Sequence, residues 1–442
     1  MSQDIDSSRA RRAFRMSKLG AKLALAQGRR LFARDEAAVH RELAEALADE
    51  LGKLKGLPMK IGQILSYMDG VVPPEQEAIY QSILGRLRTS SIAIDEASWR
   101  GVIHEELGMA PEKAFDEFDP EPIARASIGQ VHAAMFEGER VCVKVQYPEI
   151  VRATEADLEN MEAIVAIVRR VMPSVDTRQM IQDFRDRLAE ECDYRIEASH
   201  QRRFAAIYEN DPDLLVPRVI DARSTQRVLT TRRIGGVSLE AFVASSSQAE
   251  RDRAGVALFR FAFGTLLQHG LFHADPHPGN LLFMADDDGR LGVLDYGCVQ
   301  PIDDEARRDL SALISAARAG RDLREPARRG LGIGAIDDES ADAMVEIVRL
   351  VLAPILEPQP YRFTRRFASD ITRAVTDAKM RLGPRYLSRR GSFEIERPGV
   401  MFVVRNLFGL ATIWGQLEAR ADFRAIVDEM LAVQPDRVSP RL

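Results

Sequence analysis

Residues 273–280 read HADPHPGN, from His273 to Asn280. The stretch holds two histidines, an aspartate, two prolines, a glycine and an asparagine, and no large aliphatic or aromatic side chain. LFRFAFGTLLQHGLF before it has a helical pattern, and LLF after it has the look of a strand. A turn between a core helix and a core strand needs Gly, Pro or Asn. It does not need two histidines and an aspartate as well, so this loop carries chemistry.

The surrounding chain has a recognisable organisation. Residues 35–105 are expected to be helical, with apolar residues at spacings of three and four and a break at VVPPEQ. GQVHAAMFEGERVCVKVQY, residues 129–147, reads as two strands split by Glu137, Gly138 and Glu139. Val141, Val143 and Val145 then share one face of the second strand, and Cys142, Lys144 and Gln146 the other. Helical pattern returns from 150 to about 207, and TQRVLTTRRI, residues 225–234, is a further strand. Beyond Gly235 and Gly236 the chain reads as mostly helical apart from one hairpin, NLLFMADDDGRLGVLDYG, with a DDDG turn. A small β-rich unit followed by a larger helix-rich unit with one hairpin is an α+β layout.

Bulk composition narrows the field. The 442 residues suffice for two or three domains, and a 45% hydrophobic content fits globular cores. A net charge of −6 gives no electrostatic case for nucleic-acid binding. Cys142, Cys192 and Cys298 lie far apart, against a zinc site or disulfide framework and in keeping with a reducing compartment. No run of eighteen apolar residues occurs, so no transmembrane helix is expected. VMFVVRNLFGLATIWG is interrupted by Arg405 and Asn406 and reads as a core helix. The N-terminus shows no cleavable signal pattern. Residues 9–34 carry nine Lys or Arg and no acid, with Phe14, Leu19, Leu23 and Phe32 among them. Such a helix either packs on the protein body or lies on an anionic membrane surface.

The chemistry-bearing residues fall in a telling order. His-x-Asp-x-x-x-x-Asn is the spacing of a phosphotransferase catalytic loop, in which Asp275 faces the nucleophile and Asn280 holds a metal. Asp295, at a strand end before Tyr296 and Gly297, suits the metal-binding aspartate of a following loop. Its carboxylate and the Asn280 amide oxygen are hard donors that suit Mg²⁺. His273 and His277 lack a third ligand at zinc spacing, and a histidine at the first position serves to buttress backbone. Upstream, Lys144 sits on a strand after the small-residue loop ARASIGQV, where a kinase-like lysine meets the α and β phosphates of ATP. Met180, Phe184, Leu188 and Glu191 step by four, four and three, so Glu191 continues an apolar helix face and needs a cationic partner. Lys144 is that partner in a kinase plan. Each motif is weak alone; five in order are a strong signal.

The sequence resembles the UbiB family of atypical kinases, also called the AarF or coenzyme Q kinase-like family. KIGQ (residues 60–63) matches its KxGQ signature, ARAS (124–127) its alanine-rich loop, ECDYRIEA (191–198) its ExD segment, and HADPHPGN with DYG its catalytic and metal loops. The resemblance implies a two-lobed protein-kinase-like fold with an N-terminal helical KxGQ extension. The expected division is a basic segment 1–34, the extension 35–105, a kinase-like N-lobe 106–235 and a C-lobe 236–442. It implies that ATP and Mg²⁺ are bound, and that a small or lipid-like substrate rather than a protein is phosphorylated, or ATP hydrolysed, in support of ubiquinone or other isoprenoid-lipid metabolism. By the same resemblance Lys144, Ala124, Ala126 and Ser127 contact the nucleotide, Glu191 pairs with Lys144, Asp275 is catalytic, and Asn280 and Asp295 bind metal. Lys60 and Gln63 then cover the active site with Asp193 and Glu197 nearby. A quinone precursor is the implied lipid partner. The expected location, read from the cysteines, the lack of a signal or transmembrane pattern and the basic segment, is the cytoplasm, either free or peripheral at the membrane's inner face.

There are departures. Arg125 replaces a small residue, Tyr296 stands for the usual Phe, and Arg232 follows the hinge strand where acids are frequent. Two other readings stand beside the first. One is a small-molecule phosphotransferase of the aminoglycoside or choline kinase type, against which KIGQ and the ExD segment argue. The other is a non-catalytic, nucleotide-sensing, lipid-binding partner.

Overall fold

The computed structural model describes residues 41, 45, 96–126, 128–148, 189–284, 289–382 and 397–432. Lys60, Gln63, Ser127, the basic segment 1–34 and nearly all of the helical extension lie outside the described residues.

In chain order the elements begin with helices α1 (Glu96–Leu107) and α2 (Pro111–Ala114) and strands β1 (Glu117–Arg125), β2 (Gly129–Phe136) and β3 (Glu139–Gln146). Next come α3 (Tyr194–Ile207), β4 (Leu214–Leu215), β5 (Val228–Arg232), α4 (Leu239–Ser245) and α5 (Gln248–Phe259). A π-helical turn, Arg260–Gly264, joins α5 to α6 (Thr265–His269). Strands β6 (Leu271–His273), β7 (Leu281–Phe283), β8 (Leu291–Val293) and β9 (Val299–Pro301) follow. The last part holds α7 (Asp304–Arg318), α8 (Arg324–Leu331), α9 (Asp338–Val351), α10 (Ala353–Leu356), β10 (Tyr361–Arg362), α11 (Phe367–Leu382), α12 (Pro398–Leu417), β11 (Arg420–Ala421) and α13 (Phe423–Ala432).

The chain divides into two compact units, 1–195 with 221–230, and 196–220 with 231–442. This differs from a single cut at 235, because Phe204, Leu214 and Val216 belong to the core of the helix-rich unit.

In the first unit the antiparallel pair β2–β3 matches the expected hairpin, with Val131 opposite Lys144 and Phe136 opposite Glu139. The alternation in burial holds through Val145: Val141, Val143 and Val145 are fully buried, whereas Cys142 and Lys144 are half-buried. It ends at Gln146, which is fully buried and donates its amide hydrogen to the Cys192 carbonyl at 3.0 Å. The sheet runs β1-β2-β3-β5. Strand β1 is an addition to the sequence reading. It contains Pro120 and Pro122, which an edge strand tolerates, and its pairing with β2 slips in register at Pro122. Trp99 of α1 packs on Phe118 and His132, with ring centroids 5.4 and 4.5 Å away. Arg227 ties α1 to the approach of β5 through Glu105 and Glu106, both at 2.7 Å.

The helix-rich unit is organised by caps. Ser247 and Glu250 form a capping box at the start of α5. Asp303 and Asp337 accept backbone N–H groups at the starts of α7 and α9. Gly270, at φ 63°, ends α6 in the left-handed conformation and turns the chain directly into β6. The core gathers Phe259, Phe261, Phe283, Tyr296, Phe363, Trp414 and Phe423. Helix α12 contributes Leu410, Ala411, Ile413, Trp414 and Leu417 to it. Its Gly399–Leu417 segment is long and apolar enough to cross a membrane by length and composition alone, and 44% of that window is buried in the fold.

Candidate active site

In the helix-rich unit the HADPHPGN loop is strung between two short strand pairs. Strand β6 pairs antiparallel with β9, setting His273 opposite Val299, and β7 pairs with β8, setting Leu281 opposite Val293. Residues 274–280 leave the first pair and enter the second. The Ala274 N–H donates to the Cys298 carbonyl at 2.8 Å, and the Leu294 N–H to the Asn280 carbonyl at 2.9 Å. These bonds tie the loop to the segment that carries Asp295.

Within the loop Asn280 donates its amide hydrogen to the Asp275 carboxylate at 2.9 Å. That turns the Asn280 carbonyl oxygen away from Asp275. The Asp275 carboxyl lies above the usual carboxylate range, first because it is buried and next because the Asp295 charge is near. His273, the Asn280 hydrogen bond and His277 pull it the other way. The Asn280 amide thus lies against the Asp275 carboxyl, with the Asp295 carboxylate near enough to act on it.

Two histidines hold the backbone of the segment Asp295–Gly297. The His273 ring, packed among Phe204, Phe261 and Tyr296, donates from Nε2 to the Asp295 carbonyl. His273 is therefore a buttress, as its position in the motif led one to expect. His200 of α3 donates from Nδ1 to the next carbonyl, that of Tyr296, at 3.2 Å. Burial lowers the His200 pKa from its ordinary value, which keeps the ring neutral. The Asp295 carboxylate accepts the Gly297 N–H at 2.9 Å. A side chain at Gly297 would begin 3.2 Å from Asp295 Oδ1 and 3.6 Å from Glu197 Oε2, so Glu197 of α3 stands beside the segment Asp295–Gly297. Glu197 is only 6% exposed.

In the first unit Lys144 projects from β3 with its ammonium 5.1 Å from the centre of the Tyr194 ring. Glu191 is half-buried just ahead of α3. Asp193 is gripped by Arg195, whose Nη2 reaches its carboxylate at 2.6 Å; this hydrogen bond holds the Asp193 pKa below its ordinary value. Ala124 falls inside β1, and Ala126 donates its N–H to the Gly129 carbonyl at 2.8 Å. The small residue at 129 is dictated by close approach. A Cβ there would lie 2.5 Å from both the Tyr194 hydroxyl and the Val145 carbonyl.

Among proteins of known family, the model of the ABC1 atypical kinase-like domain matches residues 86–325, more than half of the chain. The chain belongs to this family. The UbiB resemblance read from KIGQ, ARAS, ECDYRIEA and HADPHPGN is borne out. Relatives include the chloroplastic protein ACTIVITY OF BC1 COMPLEX KINASE 3 of Arabidopsis thaliana, 34% identical over 56% of this chain and 35% of that protein. The mitochondrial atypical kinase COQ8 of Saccharomyces cerevisiae is 30% identical over 58% of this chain and 50% of its own. COQ8B of Rattus norvegicus is 28% identical over 72% and 60%. The chain therefore spans about a third to three fifths of the length of these relatives. A solved structure described as a complex of Rv3197 with erythromycin, from Mycobacterium tuberculosis, superposes with a TM-score of 0.62. It is 27% identical and covers 96% of this chain and all of that one. The α+β kinase-like fold expected from the sequence is the fold found.

For an ABC1-family chain, the sequence reading missed His200. Its only sequence signal is its place one turn after Glu197 on a helix, and its role depends on a carbonyl 96 residues away.

Proposed function

We propose that this protein is an ATP- and Mg²⁺-dependent atypical kinase or ATPase that acts on a small or lipid-like substrate. The observation that carries the reading is the assembly of Asp275, Asn280 and Asp295: an amide-to-carboxylate bond of 2.9 Å, and a second carboxylate near enough to raise the first. Asp275 takes the proton of the attacking hydroxyl or water. Asp295 and the Asn280 carbonyl oxygen are the metal ligands. Both are hard oxygen donors, and among the described residues no group of three or more His, Cys, Asp or Glu forms a metal cage. That suits Mg²⁺, which is held by one or two carboxylates together with substrate phosphates. When bound, the ion neutralises phosphate charge.

Lys144 contacts the phosphates and Glu191 is its partner. The alanine-rich loop, Ala124 to Ser127, meets the nucleotide. Alanine forbids some of the backbone conformations by which glycine wraps a phosphate, so the nucleotide is held differently from a glycine-rich loop. Lys60 and Gln63 cover the site, with Asp193 and Glu197 as the acids they address. Two relatives carry coenzyme Q kinase names, which supports a role in ubiquinone or other isoprenoid-lipid metabolism, with a quinone precursor as the lipid partner. The basic segment 9–34 favours peripheral contact with an anionic membrane.

The test is MgATP turnover with and without anionic liposomes and an isoprenoid-quinone precursor analogue. Turnover that rises with both supports the lipid-linked reading. Tight MgATP binding without turnover under any condition favours the nucleotide-sensing, non-catalytic partner.

A further inference from the structure

The loop side chain that these assignments leave unused is His277, which is exposed and stands two residues past Asp275. Its backbone is fixed on both sides. The His277 N–H donates to the Asp275 carbonyl at 2.8 Å, and the Asn280 N–H donates to the His277 carbonyl at 2.9 Å. Pro276 and Pro278 flank it and restrict the backbone further. The ring is fixed as well. Its Nδ1 accepts the Gly279 N–H at 3.0 Å and so caps the short turn Pro278–Asn280. A side chain at Gly279 would begin 3.0 Å from Nδ1 and 3.3 Å from Cε1, so only glycine leaves the ring where it is.

An imidazole that accepts at Nδ1 is neutral and carries its hydrogen on Nε2. His277 is therefore held as a single donor of fixed direction. A cap on a short turn does not require imidazole, since Asn, Asp or Ser accept the same N–H. What imidazole adds is the N–H on the far side of the ring.

We propose that His277 is a catalytic residue whose Nε2–H donates a hydrogen bond to the phosphoryl group in transfer, beside Asp275. This rests on the phosphotransferase reading of the loop. In that step the attacking oxygen forms the new bond to the γ-phosphorus and its proton passes to Asp275. The bond to the β–γ bridging oxygen breaks, and ADP keeps that electron pair. His277 gives up no proton; it stabilises charge on a phosphoryl oxygen.

Two substitutions separate the cap from the donor. In His277→Asn, Oδ1 takes the place of Nδ1, so the cap survives and the far donor is lost. In His277→Gln, the amide nitrogen reaches the place of Nε2, so the donor survives and the cap is lost. The full chain and each variant are assayed for melting with and without MgATP and for ATP turnover. The expected result is that His277→Asn keeps its melting temperature and its MgATP stabilisation while kcat falls on the order of 10²-fold. His277→Gln melts lower yet recovers part of kcat. Glu240→Gln is the control, because Glu240 is an exposed carboxylate on α4, outside the loop, and it keeps wild-type turnover. Wild-type kcat in His277→Asn, or a Gln variant slower than the Asn variant, overturns the proposal and leaves His277 a cap. A loss in Glu240→Gln equal to that of His277→Asn overturns it too, by showing that the rate follows charge near the ring and not the Nε2 hydrogen. A wild-type protein that neither binds nor turns over MgATP removes the phosphotransferase reading itself, and this proposal with it.

Discussion

His273 and Asp295, 22 residues apart, are joined by a hydrogen bond from the imidazole Nε2 to the main-chain carbonyl. The 273–280 loop thus fixes the backbone at Asp295 without using the Asp275 or Asp295 carboxylate. His273→Phe keeps the aromatic packing and leaves a buried carbonyl without its donor. The expected cost is about 1–3 kcal/mol. It is read as a lower urea midpoint at unchanged m-value. A midpoint equal to wild type would show that the bond contributes nothing.

Asp275 is expected to be a stability liability. Burial and the Asp295 charge raise its folded pKa, so at neutral pH the ionised carboxylate costs stability. The cost is fully present above the folded pKa and is relieved as pH falls through it toward the unfolded value. Asp275→Asn should therefore melt higher than wild type at pH 7, with the gap narrowing in acid, while ATP turnover is lost. A lower melting temperature for the variant at pH 7 would contradict the assignment.

Tyr296 buries a hydroxyl that has no hydrogen-bond partner among the described residues. Tyr296→Phe removes that orphan group. It is expected to stabilise the protein by about 1 kcal/mol, with the melting temperature rising accordingly. If the variant is instead destabilised, the hydroxyl has a partner in solution.

Much of this site is written in the sequence because its residues are close in sequence. HADPHPGN and DYG bracket one hairpin, so Asp275, Asn280 and Asp295 come together through local pairing of β7 with β8. The fold was legible where periodicity is clean, as in Val141, Val143 and Val145. It was not legible at β1, where two prolines disguise an edge strand. Nor could the His200 clamp be read, since it joins α3 to a carbonyl in a different part of the chain.

The partner of Lys144 can be tested by a double-mutant cycle. Lys144→Met and Glu191→Gln should couple by about 1–3 kcal/mol, between the values for exposed and buried pairs, since both residues are half-buried. Simple additivity would separate the two residues.

The most direct measurement is the melting of wild type and Asp295→Asn, each with and without MgATP. Ligand that binds only the folded state raises the melting temperature. The expected result is a clear rise for wild type, none for Asp295→Asn, and equal melting of the two without ligand. An undiminished MgATP-dependent rise in Asp295→Asn would contradict the metal-loop assignment and with it the account of this site.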